Sequence, residues 1–203
     1  MQDLVLLVAD KNMHFALRGA LARWQAMGTR SFTYEFRVHP GRDGGVRTSG
    51  SQVLARERSR FAHALMMHDL EGSGAHTADP LTVESDLNQE LQATWGDDAK
   101  AIVIAPELDV WLWGADNALR EVLQWPLDGS IRQWLQSKGF QISDDGKPAR
   151  PKEALDAMRP IHKQPRSSAL YEKITTRISL QNCTDSAFLR LRAQLQRWFP
   201  SSL

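Results

Sequence analysis

Acidic residues follow three apolar runs of the sequence, where they could bind a metal ion together. Asp10 ends the first run, Asp69 and Glu71 follow "ALMMH", and Glu107 and Asp109 follow "AIVIAP". Carboxylate oxygens without thiol partners suit hard cations such as Mg²⁺ or Mn²⁺. Such an ion could polarise a phosphoryl oxygen and activate a water molecule. The residue types therefore predict a metal site formed by Asp69, Glu71 and Glu107, with Asp10 close by.

The same acids also have an ordinary structural explanation, and the sequence leaves both open. Asp10 could cap the helix that follows it, and Asp69 could cap the next turn. Other classes of site are poorly supported. The histidine spacing and the single Cys183 match no standard zinc motif. Neither a Walker sequence nor a G-x-S-x-G nucleophile elbow is present.

The elements that must position these acids follow from the hydrophobic pattern. Continuous or alternating apolar runs predict strands at residues 3–9, 31–40, 61–69 and 99–106. Helical spacing is seen between the runs, at residues 11–27, 52–60 and 81–95. This alternation predicts an α/β fold with a mainly parallel sheet flanked by helices. In such sheets ligands bind beyond the carboxyl ends of the strands, which is where the acids lie.

The pattern changes after Pro106, and the rest of the chain is predicted to be helical. Helical stretches are predicted near 107–113, 116–124, 130–138, 151–159, 167–180 and 184–198. We therefore expect an α/β core over residues 1–106 and a helical part over residues 107–203. The helical part is expected to pack on the core as one compact unit.

Charge is unevenly distributed along the chain. The formal net charge is +1, but residues 147–203 carry 11 Lys and Arg against 4 Asp and Glu. An acidic first part and a basic last part could place a metal-binding end beside a phosphate-binding end. The alternative is that the basic helix faces are simply solvated.

Other features suggest a cytoplasmic protein. The single Cys183 excludes an internal disulfide and fits a reducing compartment. No apolar run approaches the length of a membrane span, so we expect no membrane association through a helix. The first ten residues, "MQDLVLLVAD", are interpreted as a strand and not as a signal peptide.

Three basic residues are candidates for contacts with nucleic-acid phosphates. Arg42 and Arg47 lie in "GRDGGVRTSGS", which is predicted to be a glycine-rich loop over residues 41–51. Lys173 lies on a basic helix in "YEKI" and could meet a phosphate backbone. The alternative for that helix is that Tyr171 and its apolar neighbours are buried while the basic side chains are solvated.

Two tryptophans in "ELDVWLWG" are candidates for an interface. Trp111 and Trp113 are spaced by two, so they cannot share one face of an α-helix. We therefore expect one of them in the core and the other exposed, where it could stack on a base or contact a protein partner.

Several short motifs together resemble a known family. The third predicted strand ends in a D-x-D-like pair, and "PELDVWLWG" is similar to an acidic "QE-x-E-x-W" element. The segments "PKEALDAM", "SSALYEKITTRI" and "DSAFLRLRAQLQRW" follow in the family's order. The chain thus resembles an uncharacterised TOPRIM-like family of bacteria, often encoded beside restriction and phage-defence genes.

The resemblance implies a Mg²⁺-dependent phosphodiester or phosphoryl-transfer enzyme that acts on nucleic acid. Asp10 stands where the family has a glutamate and would be a metal ligand or the general base. Glu71 stands where the family has the second aspartate. Because both positions depart from the family pattern, a second hypothesis is a non-catalytic subunit of a multi-protein defence assembly. Its interface would be the "WLWG" segment or the basic C-terminal helices.

Overall fold

The computed structural model describes residues 1–114, 116–162 and 164–201. In these residues four parallel strands form one sheet, in the order β2-β1-β3-β4. The strands are β1 (Gln2–Val8), β2 (Tyr34–Val38), β3 (Phe61–Asp69) and β4 (Ala99–Ile104). The predicted α/β fold with a parallel sheet is therefore confirmed.

The helices flank this sheet and make up most of the second half of the chain. The first half contains α1 (Lys11–Leu21), α2 (Trp24–Met27), α3 (Arg42–Ala55) and α4 (Pro80–Trp95). The second half contains α5 (Asp116–Leu123), α6 (Ile131–Ser137), α7 (Pro151–His162), α8 (Ser168–Thr175) and α9 (Ser186–Trp198). Short 3₁₀ segments cover Gly96–Asp98 and Leu108–Gly114.

The central strands owe their position to their apolar residues. From Leu4 onward β1 is buried on both faces, and in β3 residues 64–68 are buried as well. Strands covered on both sides by helices need such continuous apolar runs. One buried cluster joins the sheet to the C-terminal helices, and α8 packs on α1 while α9 packs on β4.

The predicted loop over residues 41–51 is wrong, because this segment forms most of α3. The helix lies close to the sheet, where its glycines have no side chain to obstruct the approach. A Cβ atom at Gly50 would collide with Met66 and would lie 3.2 Å from Leu7 Cδ2. The predicted helix over residues 52–60 is correspondingly too late, since α3 ends at Ala55. Packing against the sheet has therefore overridden the low helix propensity of glycine.

The outer edge of β4 is covered by side chains and not by another strand. Ala101 N donates to Asn88 Oδ1 at 2.9 Å, and Val103 N donates to Glu84 Oε2 at 3.0 Å. Arg190 Nη2 donates to Val103 O at 3.1 Å. Helices α4 and α9 thus supply the hydrogen bonds that a fifth strand would make.

In the described part of the chain, no helix has the length and apolar character needed to cross a membrane.

Candidate functional site

A polar cleft of about 600 Å³ lies at the carboxyl ends of β1, β3 and β4. The N-terminus of α3 and the first two residues of the 3₁₀ segment, Leu108 and Asp109, complete its wall. Its charged lining residues are Asp10, Arg42, Asp43, Asp69, Glu71, Glu107, Asp109, Lys152 and Arg166. The structure therefore brings together the four acids of the predicted metal site and Asp109, and it adds Asp43.

Asp10 both caps a helix and lines the cleft. Its Oδ1 accepts a hydrogen bond from Met13 N at 2.9 Å, which satisfies a free amide at the start of α1. Its Oδ2 lies 3.3 Å from Arg42 Nη2, and the Arg42 side chain is 71% exposed. The capping role that the sequence left open is thus present, and the second oxygen faces an exposed cation that is easily displaced.

Asp69 ends β3 and is the central acid of the cleft. Its Oδ1 accepts a hydrogen bond from Leu108 N at 2.9 Å, so it orients the chain that follows β4. Burial raises the pKa of Asp69 well above its ordinary value, and the nearby charges of Asp43 and Asp109 raise it further. A carboxyl group in this setting favours a bound proton or a neighbouring cation.

Asp43 is the acid that sequence reasoning missed, because its segment was interpreted as a loop. It lies in the first turn of α3, and its Oδ1 accepts a hydrogen bond from Asp69 N at 2.9 Å. Burial raises the pKa of Asp43. The available signal was positional: Asp43 follows the predicted second strand, as Asp10, Asp69 and Glu107 follow the others.

Glu107 and Glu71 lie on the side of the cleft formed by the ends of β3 and β4. Burial, followed by the charge of Asp109, raises the pKa of Glu107 to about 7, although Lys152 lowers it. Lys152 Nζ lies 3.8 Å from Glu107 Oε2 and its side chain is 51% exposed. Glu71 is an exposed residue of the turn, held through its amide, which donates to Pro106 O at 3.0 Å.

Asp109 also lines the cleft, but its carboxylate is already occupied within the chain. Tyr171 Oη donates to Asp109 Oδ1 at 2.9 Å, and Arg166 Nη2 donates to both carboxylate oxygens at 3.0 and 3.2 Å. Burial raises the pKa of Asp109, and the charge of Arg166 opposes that rise. We therefore regard Asp109 as an anchor between the cleft and α8.

The predicted interface tryptophans are not exposed. Trp111 is 1% exposed and Trp113 is 3% exposed, because the whole 3₁₀ segment from Leu108 to Trp113 is buried between the sheet and the C-terminal helices. Trp111 Nε1 donates to Asp185 Oδ1 at 2.8 Å. The expectation that one tryptophan lies on the surface is wrong, since both faces of this segment are covered.

Two of the three predicted phosphate contacts lie outside the cleft. Arg47 does not line it; its Nε donates to Ser73 O at 2.6 Å and ties α3 to the turn after β3. Lys173 is exposed near the end of α8. Tyr171, Ile174 and Ile178 are buried, as the alternative interpretation of that helix predicted.

The donor set of the cleft suits a hard cation, although it is not arranged around one. In the described residues no group of three or more His, Cys, Asp and Glu side chains is placed to hold a metal ion as it stands. The possible metal ligands that line the cleft nevertheless all carry oxygen donors, and burial raises the pKa values of four of the carboxyl groups, those of Asp43, Asp69, Glu107 and Asp109. This chemistry fits Mg²⁺ or Mn²⁺ better than a thiophilic metal. Binding would require some of these side chains to turn.

The chain was compared with known protein families, with curated proteins and with solved structures, and nothing matches it significantly.

Proposed function

We propose that this protein is a Mg²⁺- or Mn²⁺-dependent enzyme that transfers or hydrolyses phosphodiesters of nucleic acid. One observation carries the proposal: carboxylates from four separate segments line one cleft at the carboxyl end of a parallel sheet. Burial raises the pKa values of Asp69 and Glu107, and the charges of neighbouring carboxylates raise them further. The bacterial anti-phage setting, and protein partners in such a system, rest on the family resemblance alone.

In the proposed site each acid has a role that its position allows. Asp69, Glu71 and Glu107 would hold the metal, which when bound would polarise a phosphoryl oxygen and acidify a water molecule. Asp43 positions Asp69 by accepting a hydrogen bond from its backbone amide. Asp10 would be a further ligand or the general base, because only a displaceable contact with Arg42 engages its second oxygen.

The charge balance of the cleft explains why a polyanion would bind only after the metal. Six carboxylates and three cationic side chains line it. Fully ionised, the cleft would repel phosphates. A divalent cation would reduce this repulsion and would compete with Arg42 for Asp10 and with Lys152 for Glu107. Both exposed cations would then be available to contact phosphates.

Calorimetric titration with Mn²⁺ tests the proposal. We expect binding in the wild-type chain and at least about tenfold weaker binding in the double variant Asp69→Asn, Glu71→Gln, whose side chains keep their size but lose their charge. The matched control is Asp86→Asn, Asp97→Gln, two exposed acids that do not line the cleft. Equal binding by all three proteins at millimolar Mn²⁺ would contradict the metal site. Metal-dependent cleavage of single- and double-stranded oligonucleotides tests the reaction itself.

One observation favours the second hypothesis, a subunit that keeps the fold without activity. Asp10, Asp43 and Asp69 each accept a hydrogen bond from a backbone amide, so a structural role explains these acids without a metal. A protein that binds no Mn²⁺ but is pulled down with other proteins of a defence system would support this alternative. Its interface would then be the surface of the C-terminal helices, since Trp111 and Trp113 are buried.

A further inference from the structure

The strand β2 forms one edge of the sheet, and no other strand in the described part of the chain pairs with its outer side. Leu4 N donates to Thr33 O at 3.1 Å, and His39 N donates to Val8 O at 2.9 Å. These bonds fix which residues of the strand face β1. The odd-numbered residues direct their backbone groups toward β1, so the even-numbered ones direct theirs away from the sheet.

The outward row of β2 consists of the amides and carbonyls of Tyr34, Phe36 and Val38. In the described part of the chain, the only side chain that bonds to this row is Arg37, whose Nη1 donates to Phe36 O at 3.0 Å. This edge contrasts with the edge of β4, where Glu84, Asn88 and Arg190 occupy the outward groups. An uncovered edge strand is a template for another strand.

We propose that β2 is an interface at which two copies of this chain pair their β2 strands in antiparallel orientation. The two-fold axis would pass beside Phe36, so that Phe36 lies opposite Phe36 of the second copy. In this register Tyr34 lies opposite Val38, and Glu35 lies opposite Arg37. The two sheets would join into one sheet of eight strands.

The hydrogen-bonding pattern fits this register. Antiparallel pairs alternate between positions that exchange two hydrogen bonds and positions that exchange none. The outward row at Tyr34, Phe36 and Val38 falls on the bonded positions, so the register forms about six inter-chain bonds. A shift by one residue would place inward-facing groups at those positions and would form none.

The charges of β2 are self-complementary in the same register. Glu35 and Arg37 lie on one face and form an ion pair within the chain, with Arg37 Nη2 2.8 Å from Glu35 Oε2. Arg37 Nε also donates to Glu57 Oε1 at 2.8 Å, and Arg60 Nη2 lies 3.7 Å from Glu35 Oε2. Between copies Glu35 and Arg37 would each meet the opposite charge at a non-hydrogen-bonded position, where side chains approach most closely. Two such contacts form because the arrangement is symmetric. This complementarity selects a second copy of the chain as the occupant of the edge.

The other face of β2 contributes apolar contacts. Val38 is 42% exposed, although it belongs to the apolar row that includes Tyr34 and Phe36. In the dimer Val38 would lie opposite Tyr34 of the second copy. Aromatic and β-branched residues form favourable cross-strand pairs. The interface would therefore cover one of the few large hydrophobic side chains that are exposed in the described part of the chain.

Sedimentation velocity of the full chain over a concentration series tests the proposal. We expect a concentration-dependent dimer in the micromolar range, up to about 100 µM chain. Val38→Pro should weaken it at least about tenfold, because proline removes an outward amide while leaving the bonds to β1 intact. The control Val38→Thr keeps the amide and should still dimerise. A wild-type chain that stays monomeric would overturn the proposal, as would a dimer that Val38→Pro leaves unchanged.

A charge exchange tests the register independently of the backbone. Glu35→Lys alone should weaken the dimer, because lysine then faces Arg37 of the second copy. Arg37→Glu alone should weaken it too, because two glutamates then face each other. An equimolar mixture of the two variants should form a heterodimer, because opposite charges then face each other at both contacts. Native mass spectrometry detects this heterodimer. Circular dichroism checks that each variant is folded. Homodimers of both variants as tight as wild type, or a mixture that forms no heterodimer, would contradict this register.

Discussion

Two buried groups of charged residues lie near β4, and they are balanced in different ways. On the outer edge, Glu84 is 3% exposed and accepts hydrogen bonds from Val103 N and from Arg190 Nε, both at 3.0 Å, with Lys100 Nζ 3.5 Å away. At the carboxyl end, Asp69 meets Asp43 and Glu107 as its charged neighbours, together with Asp109. The acid of the edge group is neutralised within the chain, whereas the six carboxylates of the cleft have only three cationic side chains beside them.

This difference shows where repulsion between carboxylates is left within the molecule. A buried charge is tolerated when a partner and hydrogen bonds are supplied, as they are for Glu84. Where carboxylates face each other, protonation or a cation must relieve the repulsion. Burial raises the pKa values of Asp69 and Glu107, and the charges of the neighbouring carboxylates raise them further. The edge group therefore stabilises the fold, whereas the cleft is the site of the proposed function.

The largest effect is expected from removing the acid of the balanced group. Glu84→Ala would leave Arg190 without its carboxylate partner and Val103 N without an acceptor. We expect the free energy of unfolding to fall by about 3 kcal/mol. Urea denaturation followed by circular dichroism measures this loss. A change smaller than that of the exposed control Asp86→Ala would break the contrast between the two groups.

The second-largest effect is expected in the pH dependence of stability, which should differ between the cleft group and the edge group. The folded pKa of Glu107 is about 7, above its ordinary value of 4.5, so the folded state binds more protons between these values. Stability from this group is therefore present at low pH and is lost as the pH rises toward 7, by about 2 kcal/mol.

Urea midpoints measured from pH 4.5 to 8 check this dependence. Glu107→Gln should flatten the decline, because glutamine does not titrate. If the proposed metal site exists, millimolar Mn²⁺ should also flatten it in the wild type. A wild-type stability that rises over this range in parallel with the variant would contradict the assignment of the raised pKa to Glu107.

Removing the charge of Asp69 should change the free energy of unfolding less than Glu84→Ala does, and in the opposite direction. Asp69→Asn keeps an oxygen that can accept from Leu108 N, while it removes repulsion from Asp43. We expect a gain of about 1 kcal/mol in unfolding free energy at pH 7 without metal. Urea denaturation at pH 7 measures it. A loss as large as that of Glu84→Ala would show that the two groups are balanced alike.

The smallest effect on stability is expected at the rim of the cleft. Arg42→Ala with Lys152→Ala removes the exposed cations of two ion pairs, so stability should change by less than about 0.5 kcal/mol. Mn²⁺ affinity should rise about two- to threefold, because both cations compete with the metal. Oligonucleotide affinity in the presence of Mn²⁺ should fall.

The matched control for the rim is Lys173→Ala with Arg177→Ala, two exposed cations on and after α8. Calorimetry measures the metal and fluorescence anisotropy measures the oligonucleotide. If the control lowers oligonucleotide affinity more than the rim variant does, the phosphate contacts lie on α8, as the sequence predicted for Lys173, and not at the cleft.

Much of the fold could be predicted because it depends on local patterns. Strands β1, β3 and β4 were found from apolar runs, since a strand buried on both faces needs them. The helix α3 was missed because nothing in "GRDGGVRTSGS" favours a helix by itself. Its helical state depends on close packing of Gly50 against Met66, a contact that local sequence does not encode.

By itself, the sequence determined the parallel sheet and the acids at its carboxyl end. Asp10, Asp69 and Glu107 could be located because parallel strands end at the same edge. Only the tertiary structure decided which of these carboxylates are engaged by a cation of the chain and which remain accessible in the cleft. Asp109 is closed by Arg166, 57 positions away, and Asp43 enters through a helix that packing creates. The reason is physical: the charge balance of a buried carboxylate depends on neighbours brought together by folding, and these are distant in the chain.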